Sequence, residues 1–359
     1  KPRSMAELAD VITLVRPGPA RSGLTDTYLR RRHGEEEVSF PHPLLEKTLA
    51  KTYGCFAAET RVVTKDGVRE IGDLAGGRHE LMTTGGGFLE SEVRSFGVQP
   101  LRRVTLRRNC QEKVIHATPN HRWFAKWHDK SSTFREMLTD DLKPGMSLQP
   151  QMPHRSGRTV PSPFGVSAGI TFGDGTRSQW QCRVDLHGDK NIQLLRYFSQ
   201  SRTTTPADQD RYAEPYVRVL DLPRSWKDYP DLDEGPSYLL GWMAGYFAAD
   251  GCVDEAGQAV LASASRADAE FFRAAGHRCG IGTYGIRTRA EEVPLPDGRV
   301  VRREISYVNL VASTLTPEFF LVEQHRERFE AAQSRRKRND RTQWTVVSIE
   351  ETDRIEDVF

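Results

Sequence analysis

Residues 165–175 read Gly-Val-Ser-Ala-Gly-Ile-Thr-Phe-Gly-Asp-Gly, and residues 241–251 read Gly-Trp-Met-Ala-Gly-Tyr-Phe-Ala-Ala-Asp-Gly. Small residues recur at every fourth position in both stretches, so on a helix they line one face, where two backbones can approach closely. Each stretch ends in Asp-Gly, and glycine suits a helix exit. The repeat therefore predicts two paired helices that carry Asp174 and Asp250 side by side at their ends.

Two carboxylates held together in a groove suit divalent cations, which can stabilise the attacking and leaving oxygens of a phosphodiester. The alternative is a pair of glycine-rich packing helices in which Asp174 and Asp250 only cap or turn the chain. One copy alone would favour packing. The recurrence of the glycine pattern with its closing Asp-Gly favours a functional pair.

Strand and helix signals follow each copy of the repeat, which predicts a pseudo-twofold α+β domain. They cover 179–186, 190–198 and 216–222 after the first copy, and 259–264, 267–279, 283–289, 304–312 and 317–332 after the second. The strands carry Arg183, Arg218, Arg287, Arg289, Arg302 and Arg303. Basic strands of this kind can lie in a DNA groove, although scattered arginines also suit an ordinary solvated face.

Short alternating segments predict a separate β unit over residues 55–152. The clearest are 60–64 and 68–71 around the hairpin turn Asp66-Gly67, followed by 92–96, 101–106, 112–116 and 123–127. Residues 344–349 and 355–359 have the same texture. The simplest organisation is a β domain interrupted by the α+β domain, with both placed after a helical fragment.

Cys55 opens the β unit directly after Gly54, whose carbonyl no side chain crowds. A thiol of pKa about 8.5 is weakly ionised at neutral pH but is the strongest side-chain nucleophile. It could convert the Gly54–Cys55 peptide bond to a thioester if a hydroxyl and a histidine polarised the amide and protonated its nitrogen. Thr118 and His121 could provide that pair. The alternative is a buried cysteine that packs in the core and does not react.

The first β unit resembles the splicing domain of inteins, the Hint fold. Its N-terminal block is matched by Cys55, Phe56, Ala57, Thr60, Val62, Thr64, Gly67 and Ile71, and the second block by Thr118 and His121. Residues 142–145 and 347–359 resemble later segments. The resemblance implies a horseshoe-like, mostly β domain in which Cys55 performs an N-to-S acyl shift assisted by Thr118 and His121, with no cofactor.

The repeat is similar to the LAGLIDADG homing endonucleases, which implies two αββα-type units. It also implies that Asp174 and Asp250 bind Mg²⁺ and cut the two strands of a DNA homing site. Thr171-Phe172-Gly173 before Asp174 departs from the family pattern. By resemblance Lys227 could supply a basic residue, and Lys190 is a weaker candidate. Ordinary surface lysines are the alternative for both.

Residues 1–54 resemble the alpha subunit of bacterial replicative DNA polymerase III, of family C. The matching residues lie in 16–26, 30–34, 41–45 and 52–54. The resemblance implies a helical fragment of the palm, with Asp26 at the position of a metal-binding acid. Asp26 alone also suits the start of a helix. The other palm acids lie upstream, so we expect no polymerisation by this fragment.

Composition limits the function classes. The 359 residues are 37% hydrophobic with a net charge of +2, so the chain is neither largely disordered nor generally basic. No signal peptide or spanning segment is recognisable, and the five cysteines lack a C-x-x-C pair, which favours a reducing cytoplasm over disulfides or structural zinc. The start at Lys1 suggests a piece of a longer protein.

The organisation expected from these patterns has four parts. They are the polymerase fragment at 1–54, the N-terminal part of the splicing domain at 55–155, the endonuclease at 156–335 with units at 163–236 and 237–332, and the start of the C-terminal splicing segment at 336–359.

The expected partners are double-stranded DNA, the replisome, and the C-terminal intein segment and C-extein that follow residue 359. The alternatives are an intein with a decayed, non-cleaving insert, and a Hint-type autoprocessing module of a secreted or toxin protein. The polymerase-like flank and the repeat speak against the second alternative.

Overall fold

A computed structural model describes residues 55–109, 111–127, 133–153, 159–188, 192–205, 216–294, 300–335 and 341–359. All of them belong to one unit of the chain, residues 54–359. Asp26, Gly54 and Lys190 lie outside the described residues. Within the described residues, every helix is too short or too polar to cross a bilayer.

The strands before the first helix are β1 (Arg61–Thr64), β2 (Gly67–Glu70), β3 (Arg78–Met82), β4 (Phe88–Glu92), β5 (Val98–Arg108), β6 (Gln111–Ala117), β7 (Arg122–Trp127), β8 (Arg135–Leu138) and β9 (Met146–Leu148). Then follow α1 (Pro163–Asp174), β10 (Gly175–Arg177), β11 (Cys182–His187), β12 (Arg202–Thr204), β13 (Tyr216–Leu222), α2 (Pro236–Asp250), β14 (Gly251–Val253), β15 (Ala259–Ser263), α3 (Arg266–Cys279), β16 (Thr283–Pro294), β17 (Val300–Leu310), α4 (Glu323–Arg335) and β18 (Thr345–Asp357).

The last strand, β18, lies within the sheet that is otherwise formed by strands from the first β segment. In the six-stranded sheet the order is β6-β5-β18-β9-β7-β8, and β18 runs antiparallel to β5 from Thr345 opposite Arg107 to Asp357 opposite Val98. Buried Val104, Leu106 and Val346 lie in its core. The chain leaves this sheet after Leu148 and returns at Trp344, where the Leu148 N–H donates to the Trp344 carbonyl oxygen at 2.7 Å. Residues 149–343 are therefore inserted at one point of the sheet.

Two further sheets repeat one topology. After α1 the strand order is β10-β11-β13-β12, and after α2 it is β14-β15-β17-β16. In both sheets the strands lie in the order first, second, fourth, third. Each helix therefore leads into the same antiparallel arrangement. Apolar residues of both helices and both sheets share one core. The two halves differ between their second and third strands, where α3 in the second half corresponds to a short 3-10 helix, Gln193–Phe198, in the first.

One local expectation was wrong. The strand expected at 92–96 lies instead at Phe88–Glu92, because beyond Glu92 the backbone bonds to separate partners: Val93 N–H to Gly77 O and Phe96 N–H to Val358 O. The helix expected over 190–198 is helical in its described part, where Ile192 is α-helical and the 3-10 helix just named follows it.

Candidate functional site

The peptide group of Cys55 is held by Thr118, 63 residues away in sequence. The Cys55 N–H donates to Thr118 Oγ1 at 2.9 Å, and the Thr118 N–H donates to the Cys55 carbonyl oxygen at 2.9 Å. Thr118 is fully buried and Cys55 is 2% exposed. The Cys55 nitrogen is the amide nitrogen of the peptide bond from residue 54, so the Thr118 hydroxyl touches that bond directly.

The Cys55 thiol is protonated at neutral pH. Burial raises the pKa of Cys55 to about 11, because a thiolate loses its hydration in an apolar site. Neighbouring Ala57, Leu101 and Val358 are buried apolar residues. Ionisation of this sulfur therefore needs a base or a rearrangement that hydrates it.

His121 contacts the Phe56 ring with its own ring and Thr118 with its backbone. Its ring centroid is 3.9 Å from that of Phe56 and 5.0 Å from that of Trp123. Its N–H donates to the Thr118 carbonyl oxygen at 3.0 Å. The structure thus brings Cys55, Thr118 and His121 to one place on the sheet.

Thr139 is a supporting residue that the sequence patterns did not indicate. Its buried hydroxyl donates to the Thr118 carbonyl oxygen at 2.8 Å and accepts from Trp123 Nε1 at 3.0 Å. These bonds fix the turn on which Thr118 and His121 lie. A lone threonine between Leu138 and Asp140 carries no sequence signal for this role.

A charged cluster lies next to this turn and was also missed. Arg354 Nη1 lies 2.7 Å from Glu59 Oε1 and 2.9 Å from His116 Nδ1. The bond from Arg354 is the main cause that lowers the pKa of Glu59. Because the Ala57 N–H donates to the His116 carbonyl oxygen, the cluster is linked to the segment that begins at Cys55.

The last residues of the chain lie against the segment that Cys55 opens. The Phe56 N–H donates to the Phe359 carbonyl oxygen at 2.8 Å, and the Phe359 N–H donates to the Phe56 carbonyl oxygen at 2.9 Å. Ala57 also bridges to Val358. Phe359 is therefore paired with the residue that follows Cys55 in the sequence.

Helices α1 and α2 touch backbone to backbone, as the small-residue pattern predicts. A Cβ added to Gly169 would lie 2.0 Å from the Trp242 carbonyl oxygen, and one added to Gly245 would lie 2.2 Å from the Val166 carbonyl oxygen. The glycines that follow the two helices are needed for a different reason from the expected left-handed conformation. Gly175 and Gly251 are extended rather than left-handed, and a Cβ there would collide with a carbonyl oxygen of its own helix.

The ends of α1 and α2 place Asp174 and Asp250 near each other, both exposed. Asp250 Oδ2 lies 3.6 Å from where a Cβ on Gly173, the neighbour of Asp174, would stand. Lys227 joins them: its ammonium donates to the carbonyl oxygens of Phe172 and Gly173. Burial lowers the pKa of Lys227, and the charges of Asp250 and Asp174 oppose that shift. Lys227 is thus half-buried at the helix ends rather than free on the surface.

At the ends of α1 and α2, the two carboxylates of Asp174 and Asp250 are the groups that could bind a metal ion. Across the described residues, no group of three or more His, Cys, Asp or Glu side chains is placed to hold an ion. A carboxylate pair fits Mg²⁺, which usually takes one or two protein carboxylates and completes its shell with water and substrate phosphates. The residues present therefore suit an ion that is held jointly with a phosphate substrate.

The strand register separates the arginines that the sequence could not assign to a face. In β11 and β13, core-facing Val184 and Val219 pair, so the neighbouring pair Asp185 and Arg218 faces the open side. Arg183 shares that side of β11. In the second sheet Arg287, Arg289 and Arg303 fall opposite or beside Tyr307 and Ile305, on the face away from buried Ser306 and Val308. Arg302 points to the other face.

The open faces are not uniformly basic. Arg218 forms a two-pronged pair with Asp185, with N–O distances of 2.7 and 2.9 Å. Arg287 donates to Asn309 Oδ1 at 3.1 Å. Exposed Arg183, Arg289 and Arg303 therefore carry most of the positive charge that a DNA backbone would meet.

Comparison with known proteins identifies the N-terminal segment. Residues 1–62 match the family model of the bacterial DNA polymerase III alpha subunit finger domain. The polymerase resemblance of this segment is thereby confirmed, and its assignment to the palm is replaced by the finger. The match continues beyond Cys55 into β1.

The curated relatives match the same short part of their own length. The chain is 46% identical over 63 residues to DNA polymerase III subunit alpha of Aquifex aeolicus, which covers 18% of this chain and 5% of that protein. It is 52% identical over 54 residues to an error-prone DNA polymerase of Corynebacterium efficiens, covering 15% and 5%. The chain thus spans about a twentieth of the relatives it matches.

Solved LAGLIDADG proteins are structurally similar to part of the chain. The N-terminal LAGLIDADG domain of WhiA matches with 9% identity and a TM-score of 0.28, covering 40% of this chain and 74% of that one. I-DmoI in complex with DNA and Mn matches with 14% identity and a TM-score of 0.25, covering 42% and 90%.

Proposed function

We propose that residues 55–359 belong to an intein interrupted by a LAGLIDADG homing endonuclease, inserted into a replicative DNA polymerase III alpha subunit of the cytoplasm. The observation that supports splicing is the hydrogen bond from the Cys55 amide to the Thr118 hydroxyl. This contact lies next to Phe359, which follows the end of β18, and β18 pairs with β5 from the first part of the segment. The polymerase match of residues 1–62 supplies the host.

The first step is an N-to-S acyl shift. The Cys55 sulfur, once deprotonated, adds to the residue 54 carbonyl carbon, the C–N bond breaks, and the Cys55 nitrogen leaves as an amine after taking a proton. Thr118 Oγ1 already holds the hydrogen of that nitrogen at 2.9 Å. It fixes the leaving group while His121, on the same turn, serves as the proton donor. The product is a thioester between residue 54 and Cys55.

Later splicing steps need residues that follow Phe359. By resemblance these are a terminal His-Asn pair and a Cys, Ser or Thr of the downstream extein. Because Phe359 is hydrogen-bonded to Phe56, a continuing chain would start beside the thioester. The fold thus supports bringing both splice junctions to one place.

The paired helix ends support the endonuclease part. Asp174 and Asp250 would hold Mg²⁺, which when bound polarises a phosphodiester. Lys227, anchored on the carbonyls of Phe172 and Gly173, sets a positive charge beside the carboxylates and can stabilise a phosphate oxygen. The open faces of the two sheets would follow the DNA backbone through Arg183, Arg289 and Arg303.

The splicing proposal is tested by thiol-induced release of residues 1–54. We expect treatment with a small thiol to release that fragment from the purified chain, measured by mass spectrometry. Cys55→Ala should abolish release because it removes the nucleophile. Thr118→Val should slow it by about 10-fold or more, while Thr118→Ser should restore most of the rate. Cys252→Ala is the matched control, since Cys252 is exposed and remote from the amide. Release that survives Cys55→Ala would refute the mechanism.

The nuclease proposal is tested on a plasmid that carries the uninterrupted polymerase gene segment. With Mg²⁺ we expect linear product from the wild-type chain and at most nicked product from Asp174→Asn or Asp250→Asn, read on agarose gels. Asp353→Asn is the control, because Asp353 is exposed on β18 of the six-stranded sheet, away from the helix ends and the open faces. Failure of the wild-type chain to cut, while thiol release persists, would leave a decayed insert as the correct assignment.

A further inference from the structure

A cavity of about 900 Å³ lies where the splicing sheet meets the inserted domain. One wall consists of β5, β6 and Trp344, and the other consists of α3 and the start of β16. Arg108 of β5 bridges the two by donating to the Tyr284 carbonyl oxygen. The cavity is separate from the ends of α1 and α2, and its lining extends to Phe56 and Trp123, whose rings pack against His121.

The described lining of this cavity is strongly basic. Its cationic side chains are Arg61, Arg108, Lys113, Arg266, Arg273 and Arg287, and Glu112 is its one acidic residue. Glu112 is already paired with Arg107 outside the cavity, at 3.0 Å. Arg266 is paired with Glu270 at 3.0 Å, so the excess of positive charge comes from the other five cations of the lining.

Three of these cations have no ion-pair partner among the described residues. Arg108, at 8% exposure, has its Nε buried without a hydrogen bond and stacks on the Trp344 ring at 4.4 Å. The Lys113 ammonium lies 4.5 Å from the centroid of the same Trp344 ring. Arg273 donates to Thr283 Oγ1 at 3.0 Å. An uncompensated buried cation costs free energy unless an anion joins it.

The electrostatics of the lining favour binding of an anion. Dehydration lowers the pKa of both Arg108 and Arg273. The charges of Arg61, Arg108 and Arg266 lower the pKa of Arg273 further, and the charge of Glu270 opposes that shift. The pKa of Lys113 falls to about 8 because its ammonium is dehydrated and faces Arg108, although the residue as a whole is exposed. These cations destabilise one another in the free protein.

We propose that this cavity, the interdomain cavity, binds a phosphate group through Arg108, Lys113 and Arg273. Planar guanidinium groups match phosphate oxygens in pairs, and a lysine adds a point charge. The flanking Trp344 and Tyr284 rings hold Arg108 in place. The phosphate can come from a DNA backbone, since Arg287 lines both this cavity and the open sheet face, or from a free nucleotide or polyphosphate. The site stands independently of splicing and cleavage.

The test measures pyrophosphate binding to the full chain by calorimetry and thermal unfolding. We expect pyrophosphate to bind and to raise the melting temperature of the wild-type protein. Arg273→Met and Lys113→Met should each weaken binding by about 10-fold or more, because each removes a charge-assisted bond. Arg103→Gln on β5, outside the cavity, should bind as wild type does.

A second readout separates a binding role from a merely structural one. Without pyrophosphate, Arg273→Met and Lys113→Met should melt at or above the wild-type temperature, since an uncompensated cation is gone. A random-sequence DNA duplex that displaces pyrophosphate would assign the phosphate to DNA, and a duplex that leaves it bound would assign it to a free ligand. Equal pyrophosphate binding by wild type and both variants, or none by the wild type, would overturn the proposal.

Discussion

At the residue scale, the molecule depends on polar contacts between residues far apart in sequence. Thr118 reaches the Cys55 amide, and Thr139 in turn fixes the Thr118 carbonyl. Each of these groups is buried, so each needs its partner: an unpaired buried polar group costs about 1–3 kcal/mol. These hydrogen bonds hold the Cys55 amide, Thr118 and Thr139 in one arrangement.

His277 gives a pH dependence that can be measured. It is 8% exposed, and burial, followed by the charge of Arg273, lowers its pKa to about 4. The folded state therefore keeps the ring neutral, while the unfolded chain binds a proton below its ordinary pKa near 6.5. Stability is fully present above that value and is lost as pH falls towards 4.

Between pH 7 and pH 5 we expect His277 to remove about 2 kcal/mol of stability. Thermal or urea unfolding in phosphate-free buffer measures this loss. His277→Gln should flatten the dependence in that window, whereas His187→Gln, on the open sheet face, should leave it unchanged. A wild-type slope that His277→Gln does not alter would contradict the assignment.

At the element scale, the contact between α1 and α2 decides whether the inserted domain forms. At Gly169 and Gly245, a carbonyl oxygen of the other helix occupies the space that a side chain would need. We expect Gly169→Ala to cost about 3 kcal/mol or more, because the added Cβ would lie 2.0 Å from a backbone atom that cannot swing away. Chemical denaturation monitored by tryptophan fluorescence measures it.

The control for this prediction is Gly87→Ala. No atom lies within 4 Å of a Cβ at that turn, and its backbone is not left-handed. It should change the unfolding free energy by no more than about 0.5 kcal/mol. Equal effects at Gly169 and Gly87 would show that helix contact is not what limits stability.

At the scale of the whole molecule, one sheet is made from two distant parts of the chain. β18 lies between β5 and β9, and Leu148 is hydrogen-bonded to Trp344. The inserted segment thus begins and ends at neighbouring points. A loop whose ends are held together costs little to shorten or lengthen.

Replacing residues 154–341 by a short Gly-Ser linker should therefore leave the Cys55 chemistry intact. We expect thiol-induced release of residues 1–54 to persist, followed by mass spectrometry, while plasmid cleavage disappears. The same deletion with Cys55→Ala serves as the control. Loss of release in a chain whose circular dichroism still indicates a β domain would mean that the insert supports the splicing site directly.

Local patterns in the sequence determined a good part of this protein. The four-residue spacing of small residues fixed the helix pair, since helical periodicity is local, and the motifs around Cys55 and Thr118 marked residues that the fold does bring together. What only the tertiary structure decided is what depends on register and burial. This includes the face of each arginine, the pairing of Phe359 with Phe56, the support from Thr139, and the basic cavity at Arg108. These features join residues tens to hundreds of positions apart, and a one-residue change in strand register would reverse which side chains meet, so no local pattern could specify them.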